Sequence, residues 1–164
     1  MRILGIDPGI AIVGVGIIDY DGNKARDVFY DAITTHKDLS LDKRLEKIYF
    51  ELGAIIDKYD PDEAAIEELF YFKNQKTVIQ VAEARGVTLL CLKHKNLATY
   101  EYTPLQIKQA VTGYGRAEKK QMQEMVKTFL HLEKVPKPDD VADALAVALT
   151  HSASINFKDQ FLLR

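Results

Sequence analysis

The change of hydrophobic period along residues 1–67 narrows the fold more than any other feature of this chain. Three stretches, Arg2–Ile6, Val13–Asp19 and Ala25–Thr34, have the β-branched and apolar content of strands. The second closes at Asp21-Gly22, a hairpin signal. The period then switches. Leu41, Leu45, Ile48, Leu52, Ile55, Ile56 and Tyr59 recur close to every 3.6 residues, with Asp38 or Ser40 available as a cap, and the run stops at Asp60-Pro61. Glu63-Ala64-Ala65-Ile66-Glu67 returns to strand. A strand, helix, strand unit of this length points to a crossover between parallel strands. An antiparallel hairpin followed by a parallel crossover predicts an α/β chain built on a mixed sheet.

Two of these strands end in acids. Asp7 stands at the end of the first, just before Pro8-Gly9. Proline has no backbone N–H and glycine tolerates positive φ, so the strand stops sharply and the carboxylate can face a cleft. Glu67 ends the fourth strand, and the crossover would set it beside Asp7. An edge hairpin with a solvated aspartate explains Asp7 equally well on this stretch alone. Asp140 and Asp143 are three residues apart at the start of the last helix, on one face. Capping by Asp139 or Asp140 and a favourable helix dipole account for part of this pattern. They do not account for Asp143 within Val141-Ala142-Asp143-Ala144-Leu145-Ala146-Val147, where a carboxylate is costly to bury without a counter-charge. Asp7, Glu67, Asp140 and Asp143 therefore form a candidate set of four acids. An all-oxygen set suits Mg²⁺, which shares such sites with substrate phosphate. Two ions about 4 Å apart can activate water and stabilise the leaving oxygen of a phosphodiester.

Beyond Glu67, residues Glu68–Lys76 read as a loop containing Phe70, Tyr71, Phe72, Lys73, Asn74 and Lys76. Val78–Lys93 reads as a helix, Ala98–Tyr102 as a strand, and Pro104 opens a short helix reaching Val111. Thr112-Gly113-Tyr114-Gly115-Arg116 is a turn, Glu118–His131 a helix, and Val135-Pro136-Lys137-Pro138 a break before the helix Asp139–His151. Charge is unevenly spread. Residues 1–67 hold 8 basic and 14 acidic side chains, residues 68–135 hold 11 and 6, and residues 136–164 hold 3 and 4. A basic middle beside acidic flanks is what a phosphate-binding surface around a carboxylate pocket needs, although solvated helix faces explain many of these charges too. One cysteine, Cys91, lies in an apolar run and reads as a small buried residue of a chain in a reducing, cytoplasmic setting. His36, His94, His131 and His151 are scattered without zinc-ligand spacing. No apolar run has the length of a membrane span, and no signal peptide is visible.

Taken together, several motifs resemble the RuvC family of bacterial Holliday junction resolvases, within the ribonuclease H-like superfamily. They are Gly5-Ile6-Asp7-Pro8-Gly9, Ala65-Ile66-Glu67, Phe70 with Lys73-Asn74, Ala84-Arg85-Gly86, Lys108-Gln109, Gly113-Tyr114-Gly115, Ala117-Glu118-Lys119 and Asp140-Val141-Ala142-Asp143-Ala144-Leu145-Ala146. The resemblance implies a ribonuclease H-like α/β fold, a five-stranded mixed sheet flanked by helices. It assigns residues 1–152 to the nuclease domain and leaves 153–164 as a tail of unknown role. It implies a homodimer that nicks a four-way DNA junction symmetrically in recombination and repair, with two Mg²⁺ per subunit and Mn²⁺ as a substitute, and the RuvA–RuvB branch-migration complex as partner. The positions matching the family's catalytic and metal-binding acids are Asp7, Glu67, Asp140 and Asp143, with Lys119 as a catalytic lysine. DNA contacts are expected at Phe70, Lys73, Asn74, Lys76, Lys108, Arg116, Lys119 and Lys120. One departure is Ile10, where family members often carry a hydroxyl after Pro-Gly.

Three other readings compete. An actin-like or sugar-kinase-like phosphate fold also opens on a Gly-x-Asp hairpin but needs a second such motif and a longer chain. A ribonuclease H-like module that only binds nucleic acid would not need four acids. A nuclease acting on RNA–DNA hybrids would use the same basic surface, so the substrate rests on the family match.

Overall fold

The structure is a computed structural model, and it describes residues 1–69 and 75–163, with backbone only for 75–77. Five strands, β1 (Arg2–Asp7), β2 (Ile12–Tyr20), β3 (Ala25–Thr34), β4 (Glu63–Glu67) and β5 (Ala98–Tyr102), form one sheet in the order β3-β2-β1-β4-β5. β1–β2 and β2–β3 are antiparallel, whereas β1–β4 and β4–β5 are parallel. The parallel pairs follow from the crossover helices α1 (Leu41–Tyr59) and α2 (Gln75–His94). α2 starts earlier than the sequence suggests, so Lys76 belongs to its first turn and not to the preceding loop.

Alternation along the strands sorts the side chains onto two faces. Leu4, Ile6, Val13, Val15, Ile17 and Ile66 pack with Ile48, Leu52 and Ile56 of α1 and with Ala84, Cys91 and Leu92 of α2. Ile3, Ile18, Ala65, Tyr100 and Tyr102 face the other way, against α3 (Pro104–Thr112), α4 (Lys119–Phe129) and α5 (Asp139–Ala153). Asp7 and Glu67 keep step with Ile3 and Ala65, so the same alternation turns both towards α5. Cys91 is buried, in line with its apolar run.

α5 is apolar around nearly its whole circumference because it lies flat on the sheet under α3 and α4; every residue from Ala144 to Ser152 is buried. Two glycines let it come that close. A Cβ on Gly5 would stand 2.1 Å from the Ala144 carbonyl oxygen, and one on Gly14 would stand 1.9 Å from that of Asp140. Gly14 is the register partner of Asp7. The missing side chain on β2 thus seats the first turn of α5 beside the end of β1.

At the opposite edge, His151 is fully buried. Its Nδ1 lies 2.8 Å from the Tyr102 hydroxyl and its Nε2 lies 2.8 Å from Glu63 Oε2. The tail that follows residue 152 packs back onto the edge of the sheet. A 3-10 helix, Ile155–Phe161, brings Lys158 into an ion pair with Glu63, and the Leu163 N–H donates to the Thr99 carbonyl at 2.9 Å.

Candidate active site

The acids converge because three unrelated elements end at one place. β1 and β4 are parallel and in register from Ile3 with Glu63 to Ile6 with Ile66, so the next residues, Asp7 and Glu67, lie side by side at the carboxyl end of the sheet. α5 begins there after Pro138, its N-cap. Neither Asp139 nor Asp140 is therefore the cap. Both occupy the first turn, where acids suit the dipole.

Electrostatics ties the four carboxylates into one group. Burial, reinforced by the charges of Glu67, Asp143 and Asp140, pushes the Asp7 carboxyl up to about 8. Burial and Asp143 push Glu67 up to about 7, against the pull of Lys119 and Lys108. Asp143 is raised by burial, with Asp140 and Asp139 adding to the effect and Lys119 opposing it. These shifts mark carboxyl groups that resist ionising together unless a cation joins them.

Among the described residues, Lys119, the first residue of α4, is such a cation. Its Nζ lies 3.1 Å from Asp143 Oδ2 and 3.5 Å from Asp139 Oδ2. Burial opposes its charge, but the hydrogen bond and charge of Asp143, then Asp139, outweigh burial and raise its pKa. The counter-charge that the apolar setting of Asp143 demands is thus partly a lysine. Asp139 also holds Lys137 at 2.6 Å, a contact that its reading as a mere cap missed. Among the described residues, no three of the acids are grouped closely enough as they stand to hold one ion together.

Glu67, Asp143, Lys119 and Lys108 line a cleft of 230 Å³ whose apolar wall is Pro104, Ile107, Met122 and Ala146. Lys108 comes from α3, whose start is fixed by a capping box. The Gln106 N–H donates to Thr103 Oγ1 at 3.2 Å and the Thr103 N–H donates to Gln106 Oε1 at 2.8 Å. Arg116 and Lys120 are exposed on the turn and on the first turn of α4. Phe70, Lys73 and Asn74 lie outside the described residues, as does the side chain of Lys76. Ile10 is buried on the α1 side of the sheet, away from the face that carries the acids. Gly14, which seats α5, drew no notice in the sequence. Only its place opposite Asp7 in the hairpin register singles it out.

The family model described as "Crossover junction endodeoxyribonuclease RuvC" matches residues 3–151. A protein of that description from Fusobacterium nucleatum is 59% identical over 98% of this chain and 85% of its own length. One from Alkaliphilus oremlandii is 56% identical over the full length of both. Among solved structures, Thermus thermophilus RuvC in complex with Holliday junction substrate superposes with a TM-score of 0.94 at 32% identity, covering 99% of each chain.

Proposed function

The chain belongs to the RuvC family of crossover junction endodeoxyribonucleases, and from that footing we propose that it resolves four-way DNA junctions by paired, symmetric phosphodiester hydrolysis. The observation that carries this reading is the meeting of Asp7, Glu67 and Asp143 with Lys119 and Lys108 at one end of the sheet. The family is metal-dependent, and the donor set fits a hard cation. It is all carboxylate, and among the described residues the one lysine paired with it leaves an excess of negative charge. Asp7, Glu67, Asp140 and Asp143 would hold two Mg²⁺, with Mn²⁺ as a substitute. Bound there, the metal supplies an activated water and neutralises charge on the leaving oxygen.

The chain's own groups do the rest. The parallel ends of β1 and β4 fix two carboxylates on a rigid frame, and the close seat of α5 fixes two more. Lys119 presents a cation at the cleft wall, where negative charge on the scissile phosphate grows in the transition state. Lys108, Arg116 and Lys120 track the backbone, positioning the strand without reading its sequence. Phe70, Lys73, Asn74 and Lys76 complete the DNA surface by family match.

Two equivalent nicks call for two subunits related by a two-fold axis. The exposed side of α2 suits that contact. Ile79 is 65% exposed, Leu90 is 49% exposed, and Gly86 between them has open space above it. The RuvA–RuvB complex and a cytoplasmic setting complete the reading; no helix of the described residues is long and apolar enough to cross a membrane. The test is incubation with a synthetic four-way junction, with and without Mg²⁺, beside a linear duplex of the same sequence. Metal-dependent symmetric nicking of the junction alone is the expected result. Equal cutting of the duplex, or none of either, overturns the proposal.

A further inference from the structure

The turn between α3 and α4 holds a large aromatic side chain in water on a stiff mount. Gly113 closes α3 in the left-handed region, φ 73°, and its N–H donates to the Gln109 carbonyl at 2.8 Å. Thr112 Oγ1 lies 2.8 Å from the Lys108 carbonyl and 3.0 Å from that of Tyr114. The Tyr114 N–H donates to Thr112 Oγ1 at 3.1 Å, and the Tyr114 carbonyl accepts from the Ala117 N–H at 3.1 Å. The backbone of Tyr114 is thus held from both sides. The residue is nevertheless 59% exposed and belongs to neither core cluster.

The turn also folds back onto the rim of the cleft. A Cβ on Gly115 would stand 2.5 Å from Leu105 Cδ1, so the turn rests on Leu105, which follows the cleft-lining Pro104. Leu105 is itself 57% exposed. The cations of this region are Lys108, Arg116, Lys119 and Lys120, against Glu118 and Glu124. Tyr114, Glu118, Lys120 and Glu124 line one shallow groove there. The groove itself holds one lysine against two glutamates, but the segment from Pro104 to Glu124 carries four cations against two acids, and an exposed ring on such a segment suits single-stranded nucleic acid. The cations meet phosphates and the ring meets the face of a base.

We propose that Tyr114, on the turn that rests on Leu105, is a stacking platform for one unpaired base of the strand being cut, close to the scissile phosphate. It positions that strand and contributes to the choice of cutting site. The inference rests on the junction-cleaving reading above. The stiff mount has a purpose in it: with the Tyr114 backbone already held, only its side-chain torsions remain to be ordered when a base settles on the ring.

The experiment places 2-aminopurine, in turn, at each nucleotide flanking the cut in a four-way junction. The cleavage-deficient Glu67→Gln background keeps the substrate intact. A base drawn out of the stack brightens and one that settles on tyrosine stays quenched, so one position is expected to stay quenched on binding. Tyr114→Ala in that background should abolish the quench and weaken binding about 10-fold without changing the salt slope. Tyr114→Phe should keep both. Lys120→Ala should lower the salt slope by about 1 and leave the quench. Otherwise unsubstituted Tyr114→Ala protein should cut with altered site preference. A quench that survives Tyr114→Ala, with affinity and cutting sites unchanged, overturns the platform. Failure of the unsubstituted protein to cut the junction would instead overturn the function it rests on.

Discussion

Replacing Asp7 by asparagine should stabilise the metal-free protein at alkaline pH, although it should destroy cleavage. Burial and three neighbouring acids push the Asp7 carboxyl from 3.8 up to about 8. A carboxylate with a raised folded pKa binds more protons folded than unfolded across that interval, so stability falls as pH rises through it. At about pH 8 the folded group is half protonated and the unfolded one is fully ionised. At about 1.4 kcal/mol per unit, the ceiling on the cost of keeping Asp7 is about 5 kcal/mol. Relaxation and water entering the cleft reduce this to the order of 2–3 kcal/mol. Urea denaturation in EDTA, at fixed protein concentration, measures it. The unsubstituted chain should lose stability between about pH 5 and pH 8, and Asp7→Asn should flatten that slope. Saturating Mg²⁺ should restore the unsubstituted chain at pH 8 and do little for the variant. A metal-free chain as stable at pH 8 as at pH 5, together with a neutral or destabilising Asp7→Asn, would refute the view that these acids repel one another in a half-buried cluster.

Glu67→Gln should retain junction binding and lose cleavage by several orders of magnitude in single-turnover assays, since the carboxylates are not the source of affinity. Lys119→Ala should slow cleavage more than it weakens binding, and Arg116→Ala should do the reverse; equal effects on rate and affinity would remove the distinction. Gly14→Ala should force the first turn of α5 away from β2, because its Cβ would stand 1.9 Å from the Asp140 carbonyl. A loss of about 1–3 kcal/mol by urea denaturation and a larger fall in cleavage are expected. Leu90→Lys should shift sedimentation towards the monomer without lowering the stability of the fold, since Leu90 is 49% exposed within one subunit.

The local elements were legible in the sequence because period and punctuation speak directly. The alternation in β1 to β3, the 3.6-residue recurrence in α1, and Pro-Gly, Asp-Gly and Asp-Pro as stops each report on neighbours along the chain. The crossover rule extended this to Asp7 beside Glu67. The apolar run around Asp143 announced a half-buried carboxylate that needed a counter-charge. Three things were decided only by the tertiary structure, each set by which backbones touch. Ordinary glycines at positions 5 and 14 became the seat of α5 through register partners and a helix more than a hundred residues away in sequence. Lys119 became the partner of Asp143 and Asp139 because α4 and α5 pack side by side, which no spacing along the chain encodes. The segment after Ser152 acquired its place from Glu63, whose charge beside buried His151 is met by Lys158. Periodicity says which face of an element is apolar. Only packing decides what lies against that face, and so which charges must share one cleft.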